Sequence, residues 1–102
     1  MSEAYIKVLS KLSRRISVSK SYWDYIVNIK HKTVKGLESE VINALKNPVE
    51  VRRSAKDPSV YLYYGRYRNK FICVVAKHLN EEGFIITVYL TRRFVGEVVW
   101  RS

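Results

Sequence analysis

A lysine-flanked histidine, a run of interleaved cations and tyrosines, and a hydroxyl beside two arginines carry most of the chemistry this chain can offer. The run is Val51-Arg52-Arg53-Ser54-Ala55-Lys56-Asp57-Pro58-Ser59-Val60-Tyr61-Leu62-Tyr63-Tyr64-Gly65-Arg66-Tyr67-Arg68. Between residues 51 and 80 there are seven Lys and Arg, at 52, 53, 56, 66, 68, 70 and 77, against one acid, Asp57. Guanidinium groups grip phosphate through paired donors, and phenol rings add a stacking face and a hydroxyl. In a strand Tyr61 and Tyr63 share one face, and Val60, Leu62 and Tyr64 share the other. One face is then core and the other a basic, aromatic surface. Arg52, Lys56, Tyr63, Arg66, Arg68 and Lys77 are its candidate nucleic-acid contacts, joined by Lys32 and Arg92. The bland alternative is a solvated sheet edge with tyrosines packed over it. Thr91 before Arg92-Arg93 suits a phosphate, although threonine in a strand is ordinary β-propensity. His31, between Lys30 and Lys32, is either a general base near neutral pH or an exposed cap on a helix C-terminus. His78 reads as a strand-end residue. Lys77 either snorkels to the sheet rim or points into a cleft.

Composition narrows the partners. With 19 Lys and Arg against 9 Asp and Glu, the 102-residue chain carries a formal charge of +10. That excess points to a polyanion, nucleic acid before an anionic membrane surface. The length allows one domain, residues 1–102. A single cysteine, Cys73, excludes a disulfide framework and fits a reducing compartment, so a cytoplasmic location is expected. One cysteine and two histidines exclude a zinc site of familiar spacing. Asp24 and Asp57 are the only aspartates and there is no phosphate-binding glycine motif, so no metal or cofactor is expected. No uncharged run is long enough to span a bilayer, and Met1-Ser2-Glu3-Ala4 opens no secretion signal. RNA cleavage without metal has one accessible route. The 2′-hydroxyl attacks while a base such as His31 takes its proton. Arg and Lys neutralise the phosphorane, and Tyr, His or Lys protonates the leaving oxygen.

The elements that must position these groups follow from periodicity. Residues 4–13 read as a short helix or a strand. Residues 15–19 alternate as a strand. Ser21, with Asp24 three residues on, reads as the cap of a helix running toward His31. A second helix spans residues 36–46, with Leu37, Val41, Ala44 and Leu45 as its stripe, and Asn47-Pro48 ends it. Strands follow at 49–52, 60–64, 71–76, 84–91 and 97–100, with 71–76 apolar on both faces and therefore central. The expected fold is α+β: N-terminal helices packed on one face of a twisted, mainly antiparallel sheet of four to five strands. The last strand, Val98-Val99-Trp100, either caps the core or pairs with another chain, so a monomer and a weak homodimer stay open.

The order of these features is itself informative. Ile16-Ser17-Val18-Ser19, Trp23, Ile26, His31, the 37–48 helix, Arg52-Arg53-Ser54, Asp57-Pro58, Tyr61-Leu62-Tyr63-Tyr64, the strand from Gly83 to Thr91, and Gly96-Glu97-Val98-Val99-Trp100 follow one another. This order resembles the barnase–EndoU–colicin–RelE-like nuclease superfamily, in particular its small phage-associated branch, over residues 15–100. The resemblance implies two helices before a four-stranded antiparallel sheet, and metal-independent RNA cleavage. It points to His31, to Arg52 or Arg53 with Ser54, to Tyr61 or Tyr63, and to Thr91 as the catalytic set. It implies a toxin or phage-conflict effector, with an antitoxin or inhibitor protein as a second partner. Two departures stand out: Tyr25 occupies a position where such relatives carry histidine, and Lys32 one where they carry proline. The alternative reading on the same fold is a non-catalytic RNA- or DNA-binding domain, or a protein-binding partner.

Overall fold

Alternation of Ile6, Val8, Ile16 and Val18 with polar neighbours commits the beginning of the chain to strands. The computed structural model describes residues 3–102, so Met1 and Ser2 of the N-terminus read above lie outside it. β1 (Ala4–Leu9) and β2 (Arg15–Ser19) form an antiparallel hairpin in which Ile6 lies opposite Val18 and Val8 opposite Ile16, all four buried. α1 (Lys20–Tyr25) follows, then a π-helical turn (Ile26–Lys30), a 3₁₀ turn (Lys32–Val34) and α2 (Glu38–Lys46). Five strands complete the chain: β3 (Glu50–Arg53), β4 (Val60–Tyr67), β5 (Lys70–Leu79), β6 (Glu82–Thr91) and β7 (Glu97–Arg101).

The sheet corrects the expected architecture. It has seven strands in the order β1-β2-β6-β5-β4-β3-β7, and β2 runs parallel to β6. The protein is α+β, but not with helices ahead of a four- to five-stranded, mainly antiparallel sheet. Two strands precede the helices. The reason is non-local: β2 meets β6 across more than sixty residues of sequence, from Arg15 opposite Glu82 to Ser17 opposite Phe84. Period-2 alternation shows that a segment is a strand and not which strand it joins.

Local capping also departs from expectation. Ser19, not Ser21, caps α1, its hydroxyl accepting the Tyr22 N–H at 3.2 Å. Asp24 instead accepts from Lys20 Nζ at 2.6 Å. α2 starts at Glu38, after Gly36 takes a left-handed turn with φ +83°. Val41, Ala44 and Leu45 on α2 are buried against the sheet.

Register separates the two faces of the sheet. Tyr61, Tyr63 and Gly65 of β4 lie opposite Ala76, Val74 and Ile72 of β5, under the helices. Leu62, Tyr64, Cys73 and Val75 form a smaller core on the second face. Among the described residues, neither α1 nor α2 contributes to that core; residues 92–96, between β6 and β7, strap across it. The Phe94 ring stacks on Tyr64 at 4.2 Å and meets Phe71 edge-on at 4.6 Å. The Val95 N–H donates to the Tyr64 hydroxyl at 3.0 Å. β5 can therefore be buried on both faces from Ile72 to Ala76.

β2 leaves β6 after Phe84, so the β6 edge beyond it needs another cover. α1 and the π turn supply it: the Tyr22 hydroxyl donates to the Ile86 carbonyl at 2.8 Å, and Lys30 Nζ reaches the same oxygen at 3.4 Å. β7 is an outer strand. Its Val98 and Val99 are exposed, while Trp100 packs on the main core beneath Lys11. Among the described residues, no helix is long and apolar enough to cross a membrane.

Gly65 sets how closely α2 can approach β4. A Cβ there would stand 2.8 Å from Ala44 Cβ and 3.1 Å from its Cα, where no flexible side chain can move aside. Gly65→Ala will destabilise the fold by about 1–3 kcal/mol through overpacking. Urea unfolding measures it, and an unchanged midpoint would refute this account of the helix–sheet contact.

Candidate nucleic-acid interface

The cation-and-tyrosine run spans the length of the sheet rather than forming one surface. Tyr61 and Arg66 are five residues apart on an extended strand, about 17 Å. The two ends of β4 therefore hold different chemistry.

At the start of β4 lies a polar cluster under the helix face. Tyr63 is fully buried, and its hydroxyl bonds both Ser10 Oγ at 2.9 Å and His78 Nε2 at 2.8 Å. The Tyr61 ring stacks on His78 with centroids 3.9 Å apart. Burial, aided by the nearby Arg14 charge, pushes the His78 imidazole down to about 4, so it is neutral at pH 7. Burial pushes the Tyr63 phenol up to about 12. Arg53 donates to Glu97 at 2.6 Å, and Glu97 and then the Tyr61 hydroxyl raise its pKa. Ser54 Oγ accepts from the Lys56 N–H at 3.2 Å, a local turn contact. Lys77 points to the second face and meets Asp57 at 3.6 Å.

The far end of the sheet is basic and open. The β4–β5 turn brings Tyr67 opposite Lys70 and Arg66 opposite Phe71, and Phe71 lies opposite Thr91 at the end of β6. Lys70, Leu90, Thr91, Arg92 and Arg93 line a shallow depression of about 370 Å³. Arg66 lies over the Phe71 ring at 5.8 Å and Arg68 over Tyr67 at 5.3 Å. Arg66, Arg68, Arg92 and Arg93 are exposed. Among the described residues, no carboxylate forms an ion pair with any of these four or with Lys70. The Thr91 hydroxyl accepts the Arg93 N–H at 3.0 Å, which fixes the turn that presents both arginines.

This arrangement divides the candidates. Arg66, Arg68, Thr91 and Arg92 come together; Arg53, Ser54, Lys56 and Tyr61 lie at the opposite end. His31 joins neither group, its ring half-buried 5.8 Å from Tyr89, with Lys32 exposed beside it. Tyr63 is a fully buried core residue facing α2, because the face it shares with Tyr61 is the helix face. Arg52 donates to Glu50 Oε2 and to the Gly96 carbonyl at 3.1 Å, which ties the strap to the sheet. The structure adds three residues: His78, Lys70 and Arg93. The register that pairs the β4–β5 turn with Thr91 brings in the last two, and the Thr91-Arg92-Arg93 triplet already hinted at Arg93. The sequence offered His78 only as a strand-end residue or a fallback base, since its partners Ser10 and Tyr63 are 68 and 15 residues away along the chain.

Among the described residues, no group of three or more His, Cys, Asp or Glu is placed to hold a metal ion. No family model, curated protein or solved structure matches the chain.

The low pKa of His78 makes stability pH-dependent. The unfolded imidazole titrates near its ordinary value of 6.5 and the folded one near 4. Between these values the unfolded chain binds more protons, so stability falls as pH drops from 6.5 to 4, by up to about 3 kcal/mol. His78→Gln keeps a hydrogen-bond acceptor and does not titrate there. Urea unfolding of this variant should give a flatter profile across that window; the wild-type slope persisting in it would remove His78 as the source.

Proposed function

We propose that this chain binds RNA, holding the phosphate backbone of a single strand at the basic end of its sheet. One observation carries the reading: Arg66, Arg68, Lys70, Arg92 and Arg93 gather at that end with no carboxylate partner among the described residues, on a chain of net charge +10. Like charges gathered without counterions cost folding free energy unless a polyanion meets them. Arginines held over aromatic rings keep their planar donors oriented for phosphate oxygens. The ligand and the single buried thiol, Cys73, both suit a cytoplasmic setting.

Binding of this kind releases counterions, so affinity for a single-stranded RNA should fall steeply with salt. Arg92→Ser with Arg93→Ser should flatten the slope of log K against log salt by about 1.4, roughly 0.7 for each phosphate contact removed on a single strand. Lys46→Ser, at the end of α2, serves as the control. Salt-independent binding, or equal slopes for the two variants, would overturn the reading.

A second reading, metal-independent cleavage, rests on a different observation. A neutral imidazole, two phenols and a guanidinium meet at one sheet end, as His78, Tyr61, Tyr63 and Arg53. A base centred on His31, which packs on Tyr89, stands apart from the Arg53, Ser54 and Tyr61 expected beside it. Cleavage by this chain should therefore persist in EDTA, leave cyclic phosphate ends, survive His31→Ala and be lost in His78→Ala. A gel of total RNA decides it, and dependence on added magnesium would defeat the mechanism.

A further inference from the structure

We infer that the cleft where β2 parts from β6 is a subsite for one unstacked base of the bound strand. The inference rests on the RNA-binding reading and deepens it. β2 and β6 stay paired only as far as Ser17 opposite Phe84. Past that point they diverge, and Ser17, Val18, Ser19, Tyr22, Phe84 and Ile85 line a cavity of about 320 Å³. That volume lies in the range of small-ligand sites.

The walls have the chemistry of a base pocket. Phe84 is 42% exposed and Tyr22 36%, so two large aromatic faces stand in solvent where burial would stabilise them. The Phe84 backbone is fixed in a strand paired on both sides, and the Tyr22 ring is anchored by its hydroxyl on the Ile86 carbonyl at 2.8 Å. A ring already fixed loses little conformational freedom when a base stacks on it. Tyr25, 47% exposed and 5.8 Å from Tyr22 between centroids, extends the aromatic surface. Ser17 and Ser19 add hydroxyls able to donate to or accept from a heterocycle edge.

One cation stands near the rim. Lys30 Nζ sits 3.4 Å from the same Ile86 carbonyl that Tyr22 caps. Lys77, the cross-strand neighbour of Phe84, is turned instead to Asp57 at 3.6 Å. An apolar protein side chain would use the aromatic walls but not this ammonium group. A nucleotide uses both, stacking its base and placing its phosphate at the rim. From Phe84 to Thr91 along β6 is seven residues, about 24 Å. The pocket and the basic end are thus two separated contacts on one strand, so an oligonucleotide engages both and a mononucleotide cannot.

The test compares labelled oligouridylate with a ribose-phosphate oligomer of equal length and charge that lacks bases. Fluorescence anisotropy at low salt gives the affinity of each. Wild type should prefer the base-bearing strand by at least about fivefold, the lower bound for stacking one base. Phe84→Ala should abolish the preference and leave affinity for the abasic strand unchanged. Equal affinity of wild type for both strands would overturn the pocket and leave backbone binding standing. No affinity for either would overturn the RNA reading itself. A preference that survives Phe84→Ala would place the base elsewhere. Phe84→Trp guards against a folding defect in the alanine variant: its fluorescence should be quenched by oligouridylate and not by the abasic strand, and quenching by neither counts against the pocket.

Discussion

Burial of β5 on both faces is the constraint that organises this molecule. Residues 72–76 are five consecutive buried side chains, so the sheet must be covered above and below. α2 covers one side, approaching closely because Ala44 meets Gly65. Across the other side run residues 92–96, held by Phe94 on Tyr64 and Phe71, by the Val95 N–H on the Tyr64 hydroxyl, and by Arg52 on the Gly96 carbonyl. Burial of a few aromatic rings offsets the lack of a second helical layer. The strap also determines where the charges go. By folding Phe94 inward, it leaves Arg92 and Arg93 outside, beside Lys70 and Thr91.

Ion pairing sorts the remaining charge along the sheet. Glu81 and Glu82 meet Arg15, Asp57 meets Lys77, and Glu97 meets Arg53, all toward the start of β4 and β6. Exposed pairs of this kind contribute little to stability, because water screens them. Their larger effect is electrostatic: they neutralise one end and leave the other positive. Glu50 differs. It is 5% exposed, and although burial alone would raise its pKa, Arg101 and then Arg52 hold it below the usual carboxylate range. It fastens β7 and the strap side of the sheet to β3.

Legibility followed the range of each interaction. β5 was readable as a central strand because a run of apolar residues on both faces is local information. The α2 stripe and its stop at Asn47-Pro48 were readable for the same reason. The first residues were ambiguous between helix and strand, since a mixed short segment takes its structure from its partner. The α1 cap was misplaced by two residues because Ser19 and Ser21 are chemically alike, and the turn out of β2 selects between them. Tyr61 and Tyr63 were correctly put on one face, but alternation does not say which face receives the helices. That single bit turned Tyr63 from a surface contact into the buried partner of Ser10 and His78.

The sequence by itself determined the net charge of +10, the lack of a familiar metal-ligand pattern and the positions of most strands. Charge count, residue inventory and period are sums or short-range patterns, unaffected by how distant segments meet. Only the tertiary structure decided the seven-stranded order, the parallel β2–β6 pair and the cleft it opens, the neutral His78 and the split of candidate residues between two ends of the sheet. Each of these depends on contacts between segments tens of residues apart. Such contacts are selected by the simultaneous burial of many side chains, and no window along the chain contains them.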